Sequence, residues 1–287
     1  MKNFRAYFLL FIAVVALCSC DLAKNNKALI SEAGKALVEE LDQKDGEAGA
    51  CDASAGSAEA DDKLVMQTSP KGTPEQILER TGYVASYNKT TLLPNWVAWH
   101  LTAERTEGSA KRSGVDFAED TEVPEPRATD WDYYNSGYDR GHMCPAADNK
   151  WSKKAMEESF LFTNMCPQNG NLNRGDWNEM EMACRKWAKK YGDLYIVCGP
   201  ILYKGKHKTI GKNKVVVPEA FFKVVLRTGD NPQAIGFIYK NTSGNRPKDS
   251  YVNTVDEVER ITGIDFFPSL PDNVEKNVEA TADIANW

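Results

Sequence analysis

Apolar and polar positions alternate in two early stretches of the chain. Tyr83-Val84-Ala85-Ser86-Tyr87 and Asn95-Trp96-Val97-Ala98-Trp99-His100-Leu101 carry aromatic and β-branched side chains on a two-residue period, which predicts strands. Leu194 to Cys198 is a short unbroken apolar run ahead of Gly199-Pro200, which predicts a buried strand and then a turn. Phe221 to Leu226 and Ala234 to Tyr239 flank Thr228-Gly229-Asp230-Asn231-Pro232, the pattern of a hairpin. Elsewhere the period lengthens. Trp177, Met180, Cys184, Trp187 and Tyr191 recur at helical spacing, and Thr254 to Ile261 reads as a helix closed by Gly263. The elements mix without a regular strand–helix alternation or an internal repeat. The expected class is α+β, with a mixed or antiparallel sheet core covered by helices.

The pattern changes ahead of residue 76. Lys2 and Arg5 precede an apolar run from Tyr7 to Leu17, too short to span a bilayer and shaped like a signal-peptide core. Leu17-Cys18-Ser19-Cys20-Asp21 resembles a bacterial lipobox, which makes Cys20 the candidate lipidation site. This predicts an exported lipoprotein of a bacterial cell envelope, with the membrane as a partner through an N-terminal lipid anchor; plain secretion is the alternative. Residues 21–75 read as a flexible acidic tether. Within it, Ala28 to Leu41 has the spacing of a short amphipathic helix, and Gly46 to Asp62 has too little apolar surface to order itself. The expected organisation is a signal peptide at 1–20, a tether at 21–75 and a main domain at 76–287.

With 42% hydrophobic and 10% aromatic residues, the chain can build a sizeable core. A net charge of −6 and a pI near 5.3 count against a nucleic-acid partner at first sight. The acidic excess sits in the tether, however, so the main domain is nearly neutral. Lys186, Lys189, Lys190, Lys204, Lys206, Lys208, Lys212 and Lys214 form either a basic patch or a solvated face. Cys144, Cys166, Cys184 and Cys198 fall in the main domain, where export would favour one or two disulfides of open pairing. The lack of a Cys-x-x-Cys spacing argues against zinc.

The chemistry concentrates between Tyr138 and Arg185. His142, in Asp139-Arg140-Gly141-His142, sits among charge and glycine, where a neutral imidazole could take a proton from water. The plain alternative is a hydrogen-bonded turn histidine. Arg174-Gly175-Asp176 reads as a turn into the helix, with Asp176 and Glu179 in the spacing of a capping box. Glu181 and Arg185, one helical turn apart, flank the apolar stripe, with Asn173 two turns ahead of Glu181. An amide oxygen, a carboxylate and a guanidinium could then line one side of a cleft and suit a hard cation that keeps its waters. Taken alone, Glu181 and Arg185 read equally as a surface ion pair.

These motifs together resemble the DNA/RNA non-specific endonucleases. Asp139 to His142, the Asn164 to Gln168 segment, Asn173, and Glu181 eight residues later follow that family's order and spacing, with Trp177 between the last two. The likeness extends through Leu194 to Pro200 and Thr262 to Pro268. The resemblance implies a ββα-metal (His-Me finger) motif, in which a two-stranded hairpin presents the histidine and a helix presents the metal. It implies His142 as general base, Asn173 as the direct ligand of one Mg²⁺ (or Mn²⁺), and Glu181 holding that metal's waters. Arg140 and Arg185 would organise the site, Asn164 and Gln168 would brace the metal loop with Asp139 in support, and an upstream arginine would join them. For the last, Arg112, near Phe117 and Asp120, competes with Arg105. The substrates would be DNA and RNA, and a homodimer is a further implied partner. An idle nucleic-acid-binding lipoprotein and a phosphodiesterase for smaller substrates are the alternative functions.

Overall fold

The structure, a computed structural model, describes residues 63–287. The signal peptide, the lipidation site at Cys20, the Ala28–Leu41 helix and the Gly46–Asp62 stretch lie outside the described residues. The strands are β1 (Gln76–Glu79), β2 (Val84–Asn88), β3 (Leu93–Leu101), β4 (Asp139–His142), β5 (Met165–Gln168), β6 (Leu194–Ile201), β7 (Thr209–Ile210), β8 (Val215–Val216), β9 (Ala220–Arg227), β10 (Gln233–Lys240) and β11 (Val252–Asn253). Seven of them form one sheet in the order β1-β2-β3-β6-β9-β10-β11, antiparallel throughout.

Both faces of this sheet are covered, which explains why β9 is buried at every position. Successive side chains point to opposite faces. Val97, Trp99, Ile196, Cys198, Phe221 and Val225 face one core with Trp177, just ahead of the helix Asn178–Tyr191, and with Met180, Cys184 and Trp187 from that helix. Trp96, Ala98, Val197, Phe222 and Val224 face a second core with Val255, Val258 and Val278 from the helices Val255–Thr262 and Asp272–Glu279. The expected α+β class holds, and the sheet is antiparallel rather than mixed.

Three expectations need correction here. The strand expected to end before Gly199-Pro200 continues to Ile201, with Gly199 opposite Phe222. A Cβ at Gly199 would lie 2.5 Å from the Asn95 carbonyl oxygen, so this glycine serves close packing rather than a turn. Residues 64–69, assigned to the tether from composition, lie on the domain. Thr68 and Asp265 exchange backbone hydrogen bonds at 3.0 Å, and Gln67 Oε1 accepts from Phe267 N at 2.8 Å. Finally, Cys144, Cys166, Cys184 and Cys198 are all free and buried, so the expected disulfides are absent among the described residues. Cys198 Sγ donates to the Met143 carbonyl, and burial pushes the Cys184 and Cys198 thiols up to about 12. These thiols act as core side chains.

Candidate active site

His142 ends β4, which pairs with β5 in a separate two-stranded ribbon with Gly141 opposite Cys166 and Asp139 opposite Gln168. The glycine is required sterically: a Cβ at Gly141 would lie 2.3 Å from Gln168 Oε1. Past His142 the chain is held by Asn164, whose Oδ1 accepts from Cys144 N at 2.9 Å. Asn164 Nδ2 donates to the carbonyls of Cys144 and Ser159. Gln168 is fully enclosed against Gly141, its amide atoms without partners among the described residues. The imidazole is 9% exposed and boxed by Phe117 and Phe160, with ring centroids at 5.6 and 5.0 Å. Burial, with Arg112 second, lowers its pKa to about 3, so the ring is neutral across the physiological range. Nε2 is enclosed without a hydrogen-bond partner.

Facing the ribbon is a helical run that starts at Gly170 and continues to Tyr191, kinked within Asn173–Trp177 where Gly175 leaves helical geometry at φ −100° and ψ −113°. Asn173 Nδ2 donates to Asp139 Oδ2 at 3.1 Å, which fixes the amide so that its oxygen is the free end. Arg174 Nε donates to the same carboxylate at 3.1 Å. Asp139 therefore ties the histidine strand to the asparagine turn. The expected capping box at Asp176 does not form. Its carboxylate instead accepts from Asn245 N, Arg246 N and the Tyr251 hydroxyl, pinning a distant loop. Trp177, read from its spacing as core alone, also donates its Nε1–H to the His142 carbonyl at 3.2 Å.

One turn further on, Glu181 and Arg185 do not pair with each other. Arg185 Nη1 donates to Asp148 Oδ1 at 2.9 Å, and Trp99 Nε1 donates to Asp148 Oδ2 at 3.1 Å. Beneath them lies Lys223, 1% exposed, with Nζ 4.3 Å from the Trp177 ring centroid and 5.1 Å from that of Trp99. Burial pushes the Glu181 pKa up to about 7, with Lys223 opposing that rise. Lys223 itself stays above its ordinary value: burial works against its charge, and the Cys198 and Cys184 sulfurs with Glu181 and Asp148 outweigh it. Asp148 and Lys223 were not found from the sequence. A lysine inside the apolar run Phe221 to Leu226 was the available signal, because a buried lysine needs partners.

His142, Arg140, Asp139, Asn173, Glu181, Arg185 and Arg112 all line one open cleft of about 1010 Å³. Asn164 and Gln168 stand behind its wall. Arg105 does not line it: Arg105 donates to the His100 carbonyl and stacks over Trp151. Asp120 is also spent elsewhere, on Arg80 and Thr163. Arg140 is held by Asp130 at 2.7 Å and lies over Phe117 and Tyr133. Lys111, Arg112, Arg140, Lys150, Arg174 and Arg185 face only Asp139 and Glu181 in this cleft. The cleft is thus basic although the chain is acidic. No lysine of the Lys186–Lys214 series lines it, although Lys208 Nζ donates to the hydroxyl of Tyr138, which does. The free Asn173 oxygen and the Glu181 carboxylate on one wall are a hard-oxygen donor set, and they fit a divalent cation that retains its waters.

Residues 61–273 match the family described as DNA/RNA non-specific endonuclease. The mitochondrial nuclease EXOG of Danio rerio is 38% identical over 218 residues, which are 69% of this chain and 64% of that protein. Mitochondrial endonuclease G of Bos taurus is 34% identical over 68% of this chain and 70% of its own length. Nuclease C1 of Cunninghamella echinulata var. echinulata is 36% identical over 72% and 88%. The chain spans less than two thirds of the EXOG proteins it matches in Danio rerio and Xenopus laevis, 64% and 57% of their lengths. A chain of the crystal structure of the EndoG/EndoGI complex superposes with a TM-score of 0.67 at 30% identity, covering 70% of this chain and 89% of that one. These relatives overturn the expected bacterial-envelope localisation, because the vertebrate proteins among them are mitochondrial nucleases by name. That expectation rested on the charged and apolar pattern from Lys2 to Leu17 and on the lipobox-like Leu17 to Asp21, a much shorter likeness than the whole domain.

Proposed function

The chain belongs to the DNA/RNA non-specific endonuclease family, and from that premise we propose that it is a magnesium-dependent endonuclease that hydrolyses DNA and RNA without sequence preference. The observation that carries this reading is a single basic cleft holding a neutral buried histidine opposite an oriented asparagine and a partly buried glutamate. His142 acts as general base. With Nε2 enclosed, Nδ1 is the nitrogen left to take a proton from a water in the cleft. The negative phosphate raises the basicity of the ring as it arrives, opposing the effect of Arg112. Asn173 Oδ1 would hold the cation, and the Glu181 carboxylate would hold its waters. When bound, the cation supplies Lewis-acid stabilisation of charge developing on the phosphate oxygens. Arg112, Arg140 and Arg185 surround the phosphate; contacts of this kind carry affinity without sequence information.

The test is digestion of plasmid DNA and of RNA by the full chain, with magnesium and with EDTA. The expected result is cleavage of both substrates, abolished by EDTA and reduced at least about 10²-fold in His142→Ala and Asn173→Ala. Failure of the wild-type chain to cleave either substrate with magnesium refutes the activity. Equal cleavage by His142→Ala refutes the assignment of the base alone.

A further inference from the structure

On the opposite face of the sheet from the cleft, three carboxylates converge. Asp256 and Glu259 are one turn apart on the helix Val255–Thr262, and Glu279 closes the helix Asp272–Glu279. One oxygen from each lies within 4.8 Å of the others. Glu279 is 6% exposed, and its Oε1 is enclosed with no hydrogen-bond partner. Among the described residues, none of the three forms an ion pair, and the nearby Arg260 is taken by Glu257. Glu259 Oε1 accepts from Phe266 N at 2.8 Å, which leaves Oε2 available. Glu279 also sits at a helix C-terminus, where the peptide dipoles disfavour a negative charge. A buried carboxylate with an orphaned oxygen, beside two others and without a cation, is costly unless something compensates it.

We infer that Asp256, Glu259 and Glu279 form a structural calcium site, separate from the catalytic cleft, that clamps the C-terminal helix to the rest of the domain. The donors are all hard oxygens on flexible side chains, open to solvent at Asp256. Calcium accepts six to eight such ligands in irregular geometry, with water completing the shell, whereas magnesium demands a near-ideal octahedron. The helices that carry the ligands pack through Val255, Val258 and Val278 into the second core. Ion binding therefore stabilises that core and leaves the cleft chemistry unchanged.

The experiment measures the melting temperature of the full chain in EDTA and in calcium up to about 10 mM, which spans weak extracellular-type sites. Four proteins are compared: wild type, Asn173→Ala, Asp256→Asn and Glu279→Gln. At a hundredfold excess over Kd, the wild type should gain about 5 °C or more. The gain should persist in Asn173→Ala and fall to a third or less in Asp256→Asn and Glu279→Gln, with magnesium-supported nuclease rates unchanged in both. Asp256 is exposed, so its substitution does not threaten folding. Absence of a calcium-dependent rise in the wild type overturns the site, as does a rise that survives in both carboxylate variants. Loss of the rise in Asn173→Ala assigns the calcium to the cleft and equally overturns it.

Discussion

Burial of a neutral histidine makes the stability of this fold depend on pH in a calculable way. The His142 pKa falls from 6.5 to about 3 on folding, chiefly through desolvation. Because the folded value is depressed, the unfolded chain binds the proton more readily. The associated stability is present above pH 6.5 and is lost as pH falls towards the folded value. From about pH 7 to about pH 5, the unfolded histidine gains roughly 1.4 units of protonation free energy that the folded one does not, at about 1.4 kcal/mol per unit. The expected loss from this residue is therefore about 2 kcal/mol. Urea unfolding in EDTA, followed by tryptophan fluorescence at about pH 7 and pH 5, reads it as the wild-type change minus that of His142→Asn, which cancels the other titrating groups. A difference below about 0.5 kcal/mol would refute the buried neutral imidazole and with it the physical basis for its role as a base.

Three further outcomes follow from the site. Gly141→Ala drives a Cβ into Gln168 Oε1 and Cβ, at 2.3 and 2.7 Å, so stability should fall by about 1–3 kcal/mol and kcat by roughly 10²-fold as His142 shifts; a kcat within threefold of wild type would contradict the strand geometry. Asp139→Ala removes the acceptor that orients Asn173, so the magnesium concentration for half-maximal activity should rise about 10- to 100-fold, and an unchanged metal titration would remove Asp139 from that role. Arg112→Met should make the dependence of substrate affinity on salt shallower by about one phosphate contact, whereas Lys204→Met and Lys212→Met should leave it as in wild type; the reverse ranking would move the nucleic-acid face to the lysine run.

The parts of the fold that read clearly in the sequence were those where one local pattern decided the structure. The helix read over Thr254 to Ile261 forms as Val255–Thr262, with Thr254 as its cap, and Gly263 ends it with φ at +71° as its position predicts. The loop at Thr228 to Pro232 joins β9 and β10 as a hairpin. The errors came where tertiary contact overrode a local signal. Gly199 looked like punctuation, but its missing side chain admits the Asn95 carbonyl. Asp176 had capping-box spacing, but its carboxylate found three donors from the Asn245–Tyr251 region instead. At the site, the motif residues were visible because their spacing is fixed by one ribbon and one helix. Arg112 could not be separated from Arg105 by sequence, since only the fold shows that Arg105 turns back to His100. Asp148 and Lys223 carry no motif of their own and become legible through what they neutralise.

That neutralisation explains how an acidic chain maintains a basic cleft. At the cleft wall and just beneath it, the carboxylates of Glu181 and Asp148 are set against the cations of Arg185 and Lys223, so this layer carries little net charge when all four are ionised. A buried charge lacking such compensation would cost several kcal/mol. Trp99 and Trp177 complete the arrangement, presenting ring faces to the lysine while their N–H groups hold Asp148 and the His142 carbonyl. The same two indoles therefore support the cation that balances Glu181 and fix the backbone that carries His142. With the buried charges balanced internally, Lys111, Arg112, Lys150 and Arg174 dominate the field in the open space, and local field rather than net charge determines what a cleft attracts. An overall charge of −6 thus does not oppose a polyanionic substrate, because all but two of the carboxylates among the described residues lie outside the cleft that the substrate would meet.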